Sequence, residues 1–222
     1  ELKAYENAPE FDLHLAPIPT RDLVEAFSLK NPNSPFYVMD MGVVVDKYLL
    51  WKKSLPRVEP FYAVKSNPDT QICRTLNALS TGFDCASKGE MELALNMGVD
   101  VNNIIYANPC KPIDHILYAR EHGIDMMTFD NMIELLKIYD LYPEARLVLR
   151  LLPDDSHSLM PFGSKFGASF KDAMALIAKC QDLNINLIGC SFHVGSGCYS
   201  SIAWVEALKL ARTVFDEAEK YG

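Results

Sequence analysis

The 222 residues are 49% hydrophobic and 23% charged, with a formal net charge of -8. That composition allows a sizeable core in one large or two small domains, and the acidic balance without any lysine or arginine run argues against a nucleic-acid partner. No apolar run approaches the roughly 20 residues that span a bilayer, and the start at Glu1-Leu2-Lys3 has no signal-peptide pattern, so a soluble, cytoplasmic chain with no membrane partner is expected.

Six cysteines, at positions 73, 85, 110, 180, 190 and 198, are scattered. None has a zinc-like spacing to another cysteine or a histidine, so no metal site is expected and reduced thiols are the expected state. Cys85 and Cys190 lie in apolar strand-like runs, where cysteine acts as a small hydrophobe.

In chain order, Thr20 to Phe27 is predicted as a short helix capped by Thr20. Pro35 to Asp40 follows as a strand, and Val43 to Leu55 as a helix with Val44, Tyr48, Leu49 and Trp51 on its apolar face. Next comes Pro60-Phe61-Tyr62-Ala63-Val64-Lys65-Ser66-Asn67-Pro68, an apolar run that reads as a buried strand with a lysine at its end before Asn-Pro closes it. Desolvation frees the lone pair of a lysine amine, and a neutral amine condenses with aldehydes. The alternative is that Lys65 merely snorkels its head into water.

Short apolar runs then recur at Phe61, Phe83, Ile105, Met127 and Leu149, each 22 residues after the last. Helical segments fill the gaps: Thr70 to Leu79, Lys88 to Met97, Ile113 to His122 and Asn131 to Tyr142. A long irregular loop over Pro153 to Gly167 delays the sixth strand, Asn186 to Val194, and Ile202 to Tyr221 reads as the last helix. A helix still running at Gly222 and a first residue other than Met suggest a piece of a longer chain.

Strand–helix units of even period indicate a parallel sheet, and the missing GxGxxG after the first strand favours a (β/α)8 TIM-type barrel over a doubly wound sheet. In a barrel the strand C-termini converge on one mouth, and those ends carry Lys65, Ser87, Asn108, Asp130, Arg150 and His193. Asp84 and Arg150 are charges within strands, so each needs a partner or a ligand, and pairing with each other or with a neighbouring backbone is the structural option. His193 precedes Gly195-Ser196-Gly197, read as a turn opening a helix. Ring, backbone N–H groups and hydroxyl together would suit an aromatic phosphate.

The blocks PFYAVKSN, GFDCAS, YANPCK, MMTFD, LVLR, SKFGA and SFHVGSGC resemble eukaryotic ornithine decarboxylases, fold-type III enzymes that use pyridoxal 5'-phosphate (PLP). The likeness runs nearly ungapped from about Pro35 to Gly222. It implies an alanine-racemase-like barrel over residues 42–222, truncated after about six strands, and an N-terminal segment, 1–41, whose strand at Phe36 to Met39 belongs to a second β domain.

The resemblance further implies that Lys65 carries PLP, that Asp84 and Arg150 lie beside it, that His193 stacks on the pyridine ring and that Ser196 holds the phosphate. Ala63 and Gly197 complete the implied cofactor contacts, with Lys65, Asp84 and His193 as the catalytic set. The loop from Asp154 to Lys165 matches a mobile loop beside the active site. Ser66 stands where many members have cysteine. The implied activity is decarboxylation of L-ornithine to putrescine in polyamine biosynthesis, by a homodimer, with antizyme as a further partner. A related lysine, arginine or diaminopimelate decarboxylase and a silent antizyme-inhibitor-like regulator are the alternatives. The family's substrate-binding aspartate and cysteine match nothing in these residues.

Overall fold

The computed structural model describes residues 18–163 and 165–221. The described residues fall into two compact units, one up to Val43 and one from Val44 onward. The smaller contains helix α1 (Thr20–Lys30), where the rings of Phe27 and Phe36 lie 5.6 Å apart. Thr20 does not cap this helix: the cap position falls on Pro19, which has no side-chain acceptor. The strand expected over Pro35 to Asp40 does not form, and Tyr37 there is 98% exposed. Helix α2 (Met41–Ser54) follows as expected, but Leu49 and Trp51 of its expected apolar face are exposed.

The larger unit alternates strand and helix at the spacing read from the sequence. The elements are β1 (Phe61–Ala63), α3 (Thr70–Ala78), β2 (Gly82–Cys85), α4 (Lys88–Asn96), β3 (Ile104–Tyr106), α5 (Ile113–Glu121), β4 (Met126–Phe129), α6 (Met132–Leu141) and β5 (Arg146–Leu151). After β5 come β6 (Ser158–Met160), α7 (Phe170–Asp182), β7 (Leu187–Phe192), β8 (Ser196–Cys198) and α8 (Ser201–Ala218). Four helix starts are capped by short polar side chains, whereas Ser200 before α8 makes no such bond. Asp69, Ser87, Asn131 and Ser169 each accept a backbone N–H from the first turn of α3, α4, α6 and α7.

Six strands form one parallel sheet in the order β1-β2-β3-β4-β5-β7. That order never reverses, so there is no switch point of the doubly wound kind, and the sheet follows the sequential course of a β/α barrel. Strand alternation divides the two faces. Phe83, Cys85, Ile104, Tyr106, Met127, Phe129, Leu147 and Leu149 are buried in the main core. Full burial of each larger side chain contributes about 1.5–3 kcal/mol relative to exposure. The alternate positions, including Asp84, Ile105, Met126, Thr128 and Arg150, line a cleft on the opposite face.

Two expectations about irregular segments change. The Pro153–Gly167 loop is not wholly irregular, because β6 pairs antiparallel with β8 through Ser158↔Cys198 and Met160↔Ser196. Ser196 and Gly197 of the Gly-Ser-Gly segment are therefore strand rather than a turn opening a helix, and α8 begins later, at Ser201. Among the described residues, no helix is long and apolar enough to cross a membrane.

Candidate active site

Of the six strand-end groups expected at one mouth, the cleft collects three, Lys65, Arg150 and His193, together with the in-strand Asp84. The other three have structural duties. Ser87 caps α4, where its Oγ accepts the Glu90 N–H at 3.3 Å while Glu90 Oε2 accepts the Ala86 N–H at 2.6 Å. Asn108 accepts the Cys110 N–H at 3.1 Å and donates to the Ala86 carbonyl at 3.2 Å, joining the ends of β2 and β3. Asp130 accepts the Gly167 N–H at 2.8 Å and anchors the end of the long loop.

The cleft has a volume of about 270 Å³, with Phe61, Ile105, Met126 and Phe192 among its apolar lining. Lys65 lies in a single 3-10 turn, Val64–Ser66, directly after β1. It was expected in a buried strand, but the ladder ends at Ala63 and Lys65 is exposed. The turn turns the side chain out of the sheet at the cleft. Ala63 pairs in register with Asp84, so the lysine turn starts beside that carboxylate.

Asp84 and Arg150 do not pair within 4 Å among the described residues, contrary to the structural option. Asp84 Oδ1 is buried and has no hydrogen-bond partner. Burial raises the Asp84 pKa above the ordinary carboxylate value; Glu90 adds to the rise, whereas Lys65 and Arg150 oppose it. Burial likewise lowers the pKa of Arg150, against the pull of Asp130 and Asp84. The Arg150 guanidinium lies 4.9 Å from the centroid of the Phe166 ring.

The His193 ring is oriented by two contacts. Its Nδ1 accepts the Gly195 N–H at 2.9 Å, which leaves the ring proton on Nε2. Phe162 meets it edge to face, with centroids 5.1 Å apart and planes at 76°. Desolvation pulls its pKa below the usual histidine range, helped by Arg150 and Lys65 and opposed by Asp155. Ser196 and Gly197 lie in β8, outside the cleft lining.

The sequence marks Phe162, with Leu159 and Met160, as able to close over a ligand, but sequence reasoning missed Phe166 over Arg150 and the contact of Phe162 with His193, because a loop has no periodicity to say where a ring will land. It also missed a buried cation. Lys111 is 2% exposed and lies 2.9 Å from Glu134, and its Nζ donates to the carbonyls of Asn108 and Thr128 at 3.0 and 2.5 Å. The Asn131-x-x-Glu134 spacing was a visible capping signal, but Glu134 reaches across to Lys111 and along the helix to Lys137 rather than back to the Asn131 N–H.

An amine at the cleft, a half-buried carboxylate with one buried, unpartnered oxygen and a guanidinium that makes no ion pair among the described residues are the groups that PLP can engage, and the planar imidazole beside them suits its ring. The residues therefore fit the cofactor. Known proteins agree with that fit. The chain is 45% identical to the ornithine decarboxylase of Mus musculus over 219 residues, 96% of this chain and 48% of the relative. It is 48% identical to a probable ornithine decarboxylase of Dictyostelium discoideum, covering 90% of this chain and 43% of that one. Antizyme inhibitor 2 of Xenopus laevis is 44% identical, covering 100% and 49%. The chain spans about half the length of the curated relatives it matches.

Among solved structures, the arginine decarboxylase of Paramecium bursaria Chlorella virus superposes with a TM-score of 0.87 at 35% identity, covering 90% of this chain and 55% of that one. The lysine/ornithine decarboxylase of Vibrio vulnificus complexed with cadaverine gives 0.81 at 33% identity, covering 91% and 53%. The six strands are thus the sequential arc of the decarboxylase barrel. Over residues 41–222 the chain matches the family described as pyridoxal-dependent decarboxylase, pyridoxal binding domain, and it belongs to that family.

Proposed function

We propose that the complete protein is a PLP-dependent ornithine decarboxylase that releases putrescine, and that this chain supplies its lysine side of the active site. The observation that carries the reading is the meeting of Lys65, Asp84, Arg150 and His193 on one cleft. The choice of ornithine is supported by relatives named ornithine decarboxylase at 45–50% identity, against 35% for the arginine enzyme.

Lys65 Nζ is the amine that would hold the cofactor at its aldehyde carbon. When bound, the cofactor supplies an electron sink for the charge left as the carboxylate departs as CO2. Asp84 Oδ1, whose pKa is raised by burial, holds a proton more readily than a free aspartate and offers it to a polar atom beside it. Arg150 supplies donors and positive charge against oxygens of the bound molecule. His193 keeps its ring neutral and presents its face, while Phe162 and Phe166 on the loop limit access of water. Ser196 and Gly197 hold the phosphate from the neighbouring ribbon, and the two positive φ angles of Gly195 and Gly197 let that backbone turn.

The reading extends to assembly. In the complete protein the segment from Phe36 to Met39, which is not a strand in this chain, would pair into a second β domain, a role supported by exposed Tyr37, Val38 and Met39 without a ladder partner among the described residues. The complete protein is a cytoplasmic homodimer in polyamine synthesis. The 44% identity to an antizyme inhibitor favours a second reading, in which the same fold binds antizyme without catalysis.

Borohydride reduction of the full-length protein followed by peptide mapping tests both readings. A pyridoxyl group on Lys65, with putrescine formed from ornithine, supports the enzyme. Modification of a different lysine overturns the assignment, and a protein that takes up no PLP supports the regulator.

A further inference from the structure

We infer that Thr128 is a further cofactor-contacting residue, its side-chain hydroxyl forming a hydrogen bond to PLP in the cleft. The inference rests on the PLP-enzyme reading above and deepens it.

Among the described residues three buried side-chain oxygens have no hydrogen-bond partner: Thr81 Oγ1, Asp84 Oδ1 and Thr128 Oγ1. Two of these three, on Asp84 and Thr128, belong to residues lining the same cleft as Lys65 and Arg150. Thr128 is 4% exposed and lies on β4, where strand alternation sends Met127 and Phe129 into the helix-facing core and leaves Met126 and Thr128 for the cleft.

A threonine is an unexpected choice for that position unless its hydroxyl is used. Barrel interiors are filled mainly by branched apolar residues, and valine has the same shape without the polar atom. A hydroxyl removed from water and left unpaired is a net loss for the folded protein, and a ligand that satisfies it converts that loss into binding affinity.

The support beneath Thr128 is also unusual. Its carbonyl accepts a 2.5 Å hydrogen bond from the buried Lys111 Nζ, which is itself paired with Glu134. The backbone at position 128 is therefore held from the core side while the side chain lies among the residues that line the cleft, the arrangement of a contact whose geometry is set before the ligand arrives. PLP held by Lys65 at its aldehyde carbon keeps a phenolic oxygen and phosphate oxygens as acceptors, so a hydroxyl donor complements Lys65 and Arg150 around it.

The test uses full-length apoprotein, Thr128→Val and Thr128→Ser, with PLP affinity read from the absorbance change on titration and melting followed without cofactor. Valine keeps the shape and removes the hydroxyl, whereas serine keeps the hydroxyl. The expected result is a Kd for PLP raised about fivefold by valine and within about twofold of wild type for serine. Without cofactor, valine leaves the melting temperature unchanged or raises it, because an unpaired polar atom has gone.

Valine binding PLP as tightly as wild type, serine binding as weakly as valine, or a valine apoprotein that melts lower or fails to fold would each overturn the inference. A wild-type protein that takes up no PLP defeats the parent reading and this inference with it. Wild-type uptake that valine leaves unchanged defeats this inference alone.

Discussion

The Nζ of Lys111 lies 2.9 Å from Oε1 of Glu134, and the two side chains are 0% and 2% exposed. Lys137 Nζ approaches the other carboxylate oxygen at 2.6 Å and also donates to the Lys111 carbonyl at 2.5 Å. This chain of charges ties the loop after β3 to the start of α6, and through the Thr128 carbonyl to β4. Burial lowers the Lys111 pKa, and Glu134 opposes that shift. Removing one partner of such a buried pair costs about 3–5 kcal/mol, because the other charge stays desolvated. Lys111→Met should therefore destabilise the full-length protein by roughly the lower end of that range, since Lys137 still faces Glu134. Adding Glu134→Leu should recover part of the loss. Denaturant midpoints of the single and double variants check this, and a double variant as unstable as the sum of the singles would contradict it.

Burial of the His193 ring, helped by Arg150 and Lys65, makes the site sensitive to acid. The native ring binds its proton less readily than the unfolded one. Between the native pKa and the unfolded value of about 6.5 the unfolded state holds more protons, so stability rises with pH there. The contribution is complete above about 6.5 and is lost as pH falls through the native value. Asp84 has the opposite sign: its raised pKa gives stability that is complete below the unfolded value of about 3.9 and lost as pH rises through the native one. His193→Gln should flatten the fall in melting temperature between about pH 7 and 5. Wild type and variant falling in parallel would remove His193 from the acid response.

Gly195 has φ of 88°, and a Cβ built there would lie 2.5 Å from the Cβ of Ser158 on the paired strand β6. Gly195→Ala should cost about 1–3 kcal/mol in backbone strain alone, and it should loosen the β6–β8 ribbon. Gly89 in α4 has nothing within 4 Å of such a Cβ, so Gly89→Ala should be neutral or stabilising by up to about 1 kcal/mol. Thermal melts of both variants make the comparison.

Asp155 holds the far side of the long loop by accepting the backbone N–H groups of Phe162 and Gly163, the latter at 2.8 Å. Asp155→Ala should free both donors and speed proteolysis between residues 156 and 165. In the wild-type full-length protein, PLP with a substrate analogue should slow cutting in the same segment, because Phe162 and Phe166 would close on an occupied cleft. Equal cutting with and without ligand would count against a lid.

Lys65 is exposed and makes no ion pair among the described residues, so Lys65→Ala should change stability by no more than about 0.5 kcal/mol. It should nevertheless abolish borohydride-stable attachment of PLP. A variant that melts well below wild type would mean that the lysine supports the fold.

The strand positions were legible because each apolar run has to alternate between two faces and each helix has to cover one of them. The 22-residue spacing from Phe61 to Leu149 thus placed five strands, and the polar residues after three of them, Ser87, Asn131 and Ser169, were free to cap helices. Which strand-end groups reach the cleft was not legible. Ser87, Asn108 and Asp130 have the chemistry of site residues, and only the loops around them commit them to backbone N–H and carbonyl groups. The strand at 35–40 was read from local pattern, yet a strand needs a neighbour, which the pattern does not supply.

By itself the sequence determined the period, the parallel barrel class and a family likeness strong enough to single out Lys65, Asp84, Arg150 and His193. These depend on local order and on residue type. The tertiary structure alone decided that Asp84 and Arg150 stay apart, that Lys65 stands exposed, that Lys111 and Glu134 pair in the interior and that Thr128 brings an unpaired hydroxyl to the cleft. Hydrogen bonding and desolvation depend on what the rest of the chain brings within a few ångströms, and neither has a period along the sequence.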